Sequence, residues 1–537
     1  MDVEKKQNAD VSVDDILQVL GPFGRFNIFN FILILFPVFL AGMYSSVYNF
    51  EAMDLDYRCS IPECENETSL NYTIPHIDGK PSKCLRYPRF DNYTLDLNDT
   101  CLPNHYDPSN VITCESFLYL ESHSIVKEFN LGCQDWKRTL VGTVHNAGFF
   151  IAIPLTGVMS DKFGRKIAII FACIANGVFG VIRALSVNYD MFIIFEFLEP
   201  AFGGGVYTAC FVLALELVGP KGRVFTSLLF NTMFILGGEM VTLLSWWLQN
   251  WRYLVFIIYT PAVFVFVYMW TLTESFRWYF SKGRYEEGLN VLSKAEKMNN
   301  VTVPKDHYDQ VEKQAMKQRD TRKCESKENN QSSFQQLFTS TVIWKRLAVC
   351  SLLWISSTLV YYGLSINAID LSGNGYLNYA VVILIEAPAN ICKLLLLDRF
   401  GRKRVISLSF FSTAVILIAY GFISAGSWSI AVYLAGKFFI TLAYNSLYVF
   451  AAEVFPTNYR TTLLAMCSTI GRTGSTIAPL TPLLTKLYEH LPTILFGSSA
   501  AVSGFLVLTL PETNNLKLPD SLKEATEQDK KFDESDR

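Results

Sequence analysis

The chain has 537 residues, 50% of them hydrophobic and only 18% charged, with a formal net charge of −3. Soluble domains carry about 25% charged residues, so a row of soluble domains is a poor fit. A near-neutral balance lacks the basic excess that phosphate binding needs, and 41 Phe, 26 Tyr and 9 Trp exclude disorder, leaving a membrane protein.

A helix crosses the roughly 30 Å hydrocarbon core with about 20 apolar residues. Twelve stretches qualify: 26–48, 139–159, 167–186, 190–215, 223–248, 252–272, 346–368, 376–397, 404–423, 428–450, 461–484 and 490–510. They are too long for strands and do not alternate as a barrel would. The first 25 residues are mostly polar, so the expectation is that no cleaved signal peptide precedes the first span. Basic clusters at Lys162/Arg165/Lys166, Lys221/Arg223, 277–346 and Arg399/Arg402/Lys403/Arg404 fall in alternate connections. The positive-inside rule puts those connections, and with an even span count both termini, in the cytoplasm.

The segment 50–138 is then extracellular. It holds four glycosylation sequons, at Asn66, Asn71, Asn92 and Asn98, and six cysteines: Cys59, Cys64, Cys84, Cys101, Cys114 and Cys133. Six cysteines in an exported segment suggest three disulfides, whose pairing the sequence leaves open. The charged stretch 273–345 reads as a cytoplasmic linker with short surface helices. The expected organisation is 1–25 cytoplasmic, 26–272 a six-helix bundle, 273–345 linker, 346–510 a second six-helix bundle and 511–537 a cytoplasmic tail.

The halves repeat. Asp161-Lys-Phe-Gly-Arg165-Lys after span two returns as Asp398-Arg-Phe-Gly-Arg402-Lys after span eight. Glu216 stands seven positions before Arg223, as Glu453 does before Arg460. Glu274 and Glu512 follow spans six and twelve. A duplicated six-helix unit of this kind builds the two halves of major facilitator transporters, so the expected fold is all-α with twelve helices in two repeats. At the cytoplasmic helix ends, Asp161, Arg165, Glu216, Arg223, Asp398, Arg402, Glu453 and Arg460 are the candidate gate, their charges pairing across the bundle when the inner side is closed.

Charges inside spans are costly and point to function. Arg472 lies near the middle of span eleven within Gly471-Arg472-Thr-Gly474, on a face shared with Met466, Thr469, Thr473 and Thr476. Its planar guanidinium suits a carboxylate or sulfate. Glu239 and Glu386 are candidates to meet a cationic group, carry a coupling proton or neutralise Arg472. His145 reads as a packing residue and Lys437 as a structural one able to snorkel. Trp354, Tyr361, Tyr362, Tyr207, Phe234 and Tyr444 are the candidate aromatic wall, with Tyr448 beside them. Trp246, Trp247 and Trp251 read as interface belt.

With these motifs, Tyr361-Tyr-Gly-Leu364, Asn250-Trp-Arg-Tyr253, Gly436-Lys437-Phe438, Glu453-Val-Phe-Pro456 and Pro511-Glu512-Thr513 among them, the chain resembles solute carrier family 22, the organic ion transporters of the major facilitator superfamily. The resemblance implies a plasma-membrane carrier of small organic ions working by alternating access. Similar cation carriers have an aspartate where Arg472 stands, and anion and carnitine-type carriers an arginine. Asn390 replaces a lysine that the anion carriers use. An anionic or zwitterionic substrate, carnitine-like or amino-acid-like, is the expectation, with an exchange anion or counter-ion as a candidate partner beside the lipid bilayer. The competing readings are an organic cation transporter, a sugar-porter-like carrier and a non-transporting receptor or sensor. No enzyme, cofactor, metal or nucleic-acid reading arises.

Overall fold

The computed structural model describes residues 13–21, 24–61, 64, 72–77, 80–90, 103–218, 222–304, 341–371, 373–423, 426–456 and 459–513. Eleven helices among them are long and apolar enough to span a membrane: Arg25–Glu51, Asp135–Phe163, Arg165–Ala184, Tyr189–Leu217, Phe225–Leu248, Trp251–Thr271, Thr341–Asn367, Gly375–Phe400, Arg402–Tyr420, Trp428–Val454 and Leu491–Leu508. These are spans one to ten and span twelve. Span eleven is an α-helix over Arg460–Ile477 that tightens to 3-10 geometry over Ala478–Lys486. Its polar stripe keeps it out of the apolar set. Pro479 and Pro482 each lack a backbone donor, which disfavours continuing the α-helix.

The repeat shows in the packing. In the first half span one packs on five, two on four, and three on both four and six. In the second half seven packs on eleven, eight on ten, and nine on both ten and twelve, the same contacts six spans later. Each half has its own apolar core, the first reaching across the seam to Ile369 and Tyr379. Spans two and eleven, and five and eight, meet between the halves.

The turn after span two explains the Asp-[Lys/Arg]-Phe-Gly-Arg motif. Gly164 has φ +106° and Gly401 φ +89°, a conformation that L side chains avoid. That geometry opens the start of spans three and nine to a carboxylate. Glu274 accepts the Lys166 amide at 2.9 Å, and Glu512 accepts the Arg402 amide at 3.0 Å. The third repeated pair thus caps a helix N-terminus in each half, where orphan N–H groups and the helix dipole favour an anion. A Cβ on Gly164 would lie 2.3 Å from a Glu274 oxygen. Gly164→Ala should therefore lower stability by about 1–3 kcal/mol through strain, with up to about 2 more from the displaced cap. Gly157→Ala, where a Cβ meets nothing within 4 Å, is the control and should not destabilise. Thermal unfolding of the purified proteins checks both.

The segment after span one folds as three two-stranded antiparallel ladders: Tyr57–Cys59 with Phe117–Tyr119, His76–Ile77 with Lys80–Pro81, and Leu85–Arg86 with Ile112–Thr113. Disulfides join Cys59 to Cys114 and Cys84 to Cys133, and Cys64 is disulfide-bonded as well. Cys101, Asn66, Asn71, Asn92 and Asn98 lie outside the described residues. We call this end of the bundle the loop side and the opposite end the linker side. The linker begins with helices Phe276–Lys282 and Tyr285–Asn299. Asn299 fastens it to the first half, accepting the Phe26 amide at 2.8 Å and donating to the Leu20 carbonyl at 3.0 Å. Residues 305–340 lie outside the described set.

One of the three belt tryptophans is placed differently from expectation. Trp246 and Trp247 are exposed, but Trp251 is buried and donates to Glu128. Arg252 also binds Glu128, at 2.7 Å, and the Ser186 carbonyl at 2.6 Å. The Asn-Trp-Arg motif is a clasp on the loop side, with Asn250 capping span six.

Candidate substrate site

Arg472 stands where span seven and span eleven come closest. Gly474 allows the approach: a Cβ there would lie 2.1 Å from the Ile355 carbonyl oxygen. Thr358 pins the contact by donating to the Gly471 carbonyl at 2.6 Å. The guanidinium lies over the Phe149 ring of span two, 5.0 Å from its centroid, and 3.5 Å from the Tyr362 hydroxyl. Among the described residues it pairs with no carboxylate. On the linker side of it a cavity of about 550 Å³ is lined by Thr462, Ala465, Met466, Thr469 and Ile470, two of which belong to the expected polar face.

The tyrosines form one continuous wall. Tyr361 meets Tyr362 edge to face at 5.1 Å and Tyr444 at 5.0 Å, and Tyr444 meets Tyr448 at 5.6 Å. Trp354 is only 1% exposed, its ring edge-on to Tyr448 at 4.2 Å. It backs the wall, with the Tyr444 and Tyr448 rings standing against it. From the first half, Tyr207 meets Phe234 at 5.5 Å and Phe211 at 6.1 Å.

Lys437 is structural but does not snorkel. It is fully buried, 2.9 Å from Glu386 Oε1, and donates to Ser365 Oγ at 2.8 Å. Its ammonium sits 3.4 Å from the Tyr361 ring centroid, and Tyr361 donates to the same Glu386 oxygen at 2.6 Å. Glu386 is thus already matched, and by Lys437 instead of Arg472. Asn390 is neutral and accepts from Asn445 at 2.9 Å. Glu239 of span five is half-buried near Glu386, and its Oε1 accepts no hydrogen bond among the described residues.

His145 is not a plain packing residue. Its Nδ1 lies 2.9 Å from Glu196 and 3.6 Å from Glu199. Arg183 of span three pairs with Glu196 and, at 2.8 Å, with Glu51. This buried cluster escaped the reading of the sequence, although the rule that singles out Arg472 applies equally to Arg183, Glu196 and Glu199.

The loop side is shut between the halves. Asn49 donates to the Tyr379 hydroxyl at 3.2 Å, Phe50 stacks on Tyr376 at 5.7 Å, and Asp135 pairs with Lys486. On the linker side the charges pair within each half. Arg165 binds Asp161 at 3.2 Å and Glu216 at 3.0 Å; Arg402 binds Asp398 at 3.0 Å and Glu453 at 3.2 Å. Every one of these bonds stays within its own half. Arg223 is exposed and forms no ion pair among the described residues, and Arg460 opens the span-eleven helix.

The sugar (and other) transporter family matches residues 101–521. The fruit-fly (Drosophila melanogaster) organic cation transporter protein is 30% identical over 95% of this chain and 94% of its own length. Solute carrier family 22 member 1 of Bos taurus is 30% identical over 96% and 93%. The human organic cation/carnitine transporter 2 is 28% identical over 95% and 93%. Among solved structures, the proton:xylose symporter XylE bound to 6-bromo-6-deoxy-D-glucose superposes with TM-score 0.61, 14% identity and coverage of 94% and 98%. That fold is the twelve-helix major facilitator fold. With two matched halves and near full-length relatives, the chain belongs to solute carrier family 22 of the major facilitator superfamily, a family of organic ion transporters.

Proposed function

We propose that this chain carries small organic anions or zwitterions, with Arg472 holding the carboxylate or equivalent group. The observation that carries the reading is charge matching: among the described residues Arg472 has no carboxylate partner, whereas Glu386 is taken by Lys437. A guanidinium with no carboxylate leaves its bidentate donors to a ligand. The tyrosine wall and Glu239 supply the other end of a zwitterion, by cation–π attraction and a facing carboxylate. A quaternary ammonium carboxylate of carnitine type meets both demands.

Alternating access supplies the mechanism. With 50–138 outside and the linker inside, the shut loop side corresponds to an inward-facing state. Opening the outer seam requires Asn49, Phe50 and Asp135 to leave Tyr379, Tyr376 and Lys486. The pairs Arg165–Glu216 and Arg402–Glu453 hold each half's linker-side helices together while the halves separate. Arg223, exposed at the start of span five, is then a charge that can meet the other half when the inner side closes. The plasma membrane, with both termini cytoplasmic, is the proposed location.

The test is an uptake panel in transfected cells with radiolabelled carnitine, a benzoate-type anion and tetraethylammonium. Arg472→Ala should lose about 2–4 kcal/mol of recognition for the first two, a drop of more than tenfold, and leave any tetraethylammonium uptake in place. Equal transport of all three by the variant would sink the assignment.

A further inference from the structure

The buried cluster of the first half carries more negative charge than its partners can match. Glu51, Glu196 and Glu199 share one guanidinium, Arg183, and one imidazole, His145, and none of the five is more than 2% exposed. Arg183 donates to Glu51 Oε1 at 2.8 Å and to Glu196 Oε2; His145 Nδ1 lies on Glu196 Oε1. Glu199 Oε2 lies 3.6 Å from His145 and 3.7 Å from Arg183 yet accepts no hydrogen bond, and Glu51 Oε2 and His145 Nε2 have no partner either among the described residues. The groups facing the cluster are Tyr44 and Tyr48 of span one, Cys173 of span three, Tyr189 of span four and Tyr259 of span six. None of them brings positive charge.

Three carboxylates against one guanidinium leave a charge of −2, or −1 with the imidazole protonated. A buried site does not hold an uncompensated charge without a counter-ion. The guanidinium occupies the middle of the cluster, and no group of His, Cys, Asp and Glu among the described residues is placed to hold a metal ion. Only protons are small enough to supply the balance: one on the imidazole and one on a carboxylate bring the cluster to neutrality.

The cluster is also wired to both the seam and Arg472. Tyr48 lines the shut cleft between the halves, with Asn49, Arg138 and Asp370, and its ring lies 4.8 Å from His145. On the other side His145 meets Phe149 edge to face at 5.8 Å, and Phe149 is the ring beneath Arg472. Parting the seam moves Tyr48 and lets water reach the carboxylates. Hydrated, they no longer need both protons, and one leaves from the Glu199 carboxyl or from His145 to the loop-side medium.

We propose that Glu51, Glu196, Glu199, His145 and Arg183 form a proton-binding site that is occupied while the loop side is shut and empties when it opens. The inference rests on the alternating-access reading but on no particular substrate. Low pH favours the shut state and high pH the open one. A single linked proton shifts the open-to-shut ratio by at most about tenfold per pH unit.

Two substrate-free measurements on the purified full chain test it. Infrared difference spectroscopy should show the C=O stretch of a protonated carboxylic acid that titrates with pH and disappears in Glu199→Gln or Glu51→Gln. Nitroxides at Val187→Cys and Phe422→Cys, 81% and 87% exposed on loop-side turns of opposite halves, report opening by spin–spin distance. The long-distance population should rise at least roughly threefold between about pH 6 and about pH 8, and Glu199→Gln should abolish that rise. If Glu199→Gln does not fold, Glu51→Gln serves. Absence of the carboxylic acid band overturns the site. A band with no pH response of the distance overturns its link to opening. Neither readout requires uptake, so failure of the anion and zwitterion reading leaves this decision intact.

Discussion

Lys437→Ala should abolish folded protein at the cell surface, although Lys437 touches neither loop nor exterior. The substitution leaves Glu386, only 6% exposed, with a tyrosine hydroxyl as its remaining partner. Removing one member of a buried pair costs about 3–5 kcal/mol, because the other stays as an unmatched charge. The double variant Lys437→Met, Glu386→Gln removes both charges and keeps the Tyr361 hydrogen bond, so it should recover most of the lost stability. Size-exclusion profiles after heating detergent-solubilised protein measure this, and uptake of carnitine adds a second reading. If Glu386 serves only to match Lys437, the recovered double variant transports; if it also contacts substrate, it folds and does not. A double variant as unstable as the single one would mean that the pair is not the source of the cost.

Much of the fold could be read before any coordinates, because membrane spans are set by solvent. Length and apolar content placed the eleven apolar spans among the described residues, and the three repeated charge motifs located equivalent helix ends. Even Glu274 and Glu512, noticed only as a matched pair, proved to be matched in function as caps. The less legible parts are those in which a charge finds its partner across the bundle. Lys437 and Glu386 are 51 positions apart and Glu51 and Arg183 are 132 apart. Hydropathy averages over a span and does not report which face a single charge occupies. Lys437 beside Gly436 looked like a residue able to reach the interface, and His145 like core. Trp354 and Tyr361 share a helix face at a spacing of seven, yet only the tyrosine is left partly exposed. The tyrosines at 444 and 448 cover the tryptophan, and nothing local to span seven announces them.

Arg183→Leu tests the other buried charge network, and its expected effect is at least as large. The guanidinium reaches Glu51 and Glu196 through two different nitrogens and comes within 3.7 Å of Glu199. Without it, three buried carboxylates from spans one and four face one another, a loss of about 3–5 kcal/mol for the first broken pair alone. Arg183→Lys should recover only part of this, since an ammonium is a point charge and lacks the fork that joins two carboxylates at once. Arg183→Leu combined with Glu51→Gln and Glu196→Gln should recover more, by removing the repulsion instead of restoring the cation. Surface expression and thermal unfolding rank the four proteins: native, triple variant, lysine variant and leucine variant, in falling order. If Arg183→Leu proved as stable as the native chain, the carboxylates would have to be neutral without the arginine. The guanidinium would then be a passenger in the cluster, not the charge that assembles it.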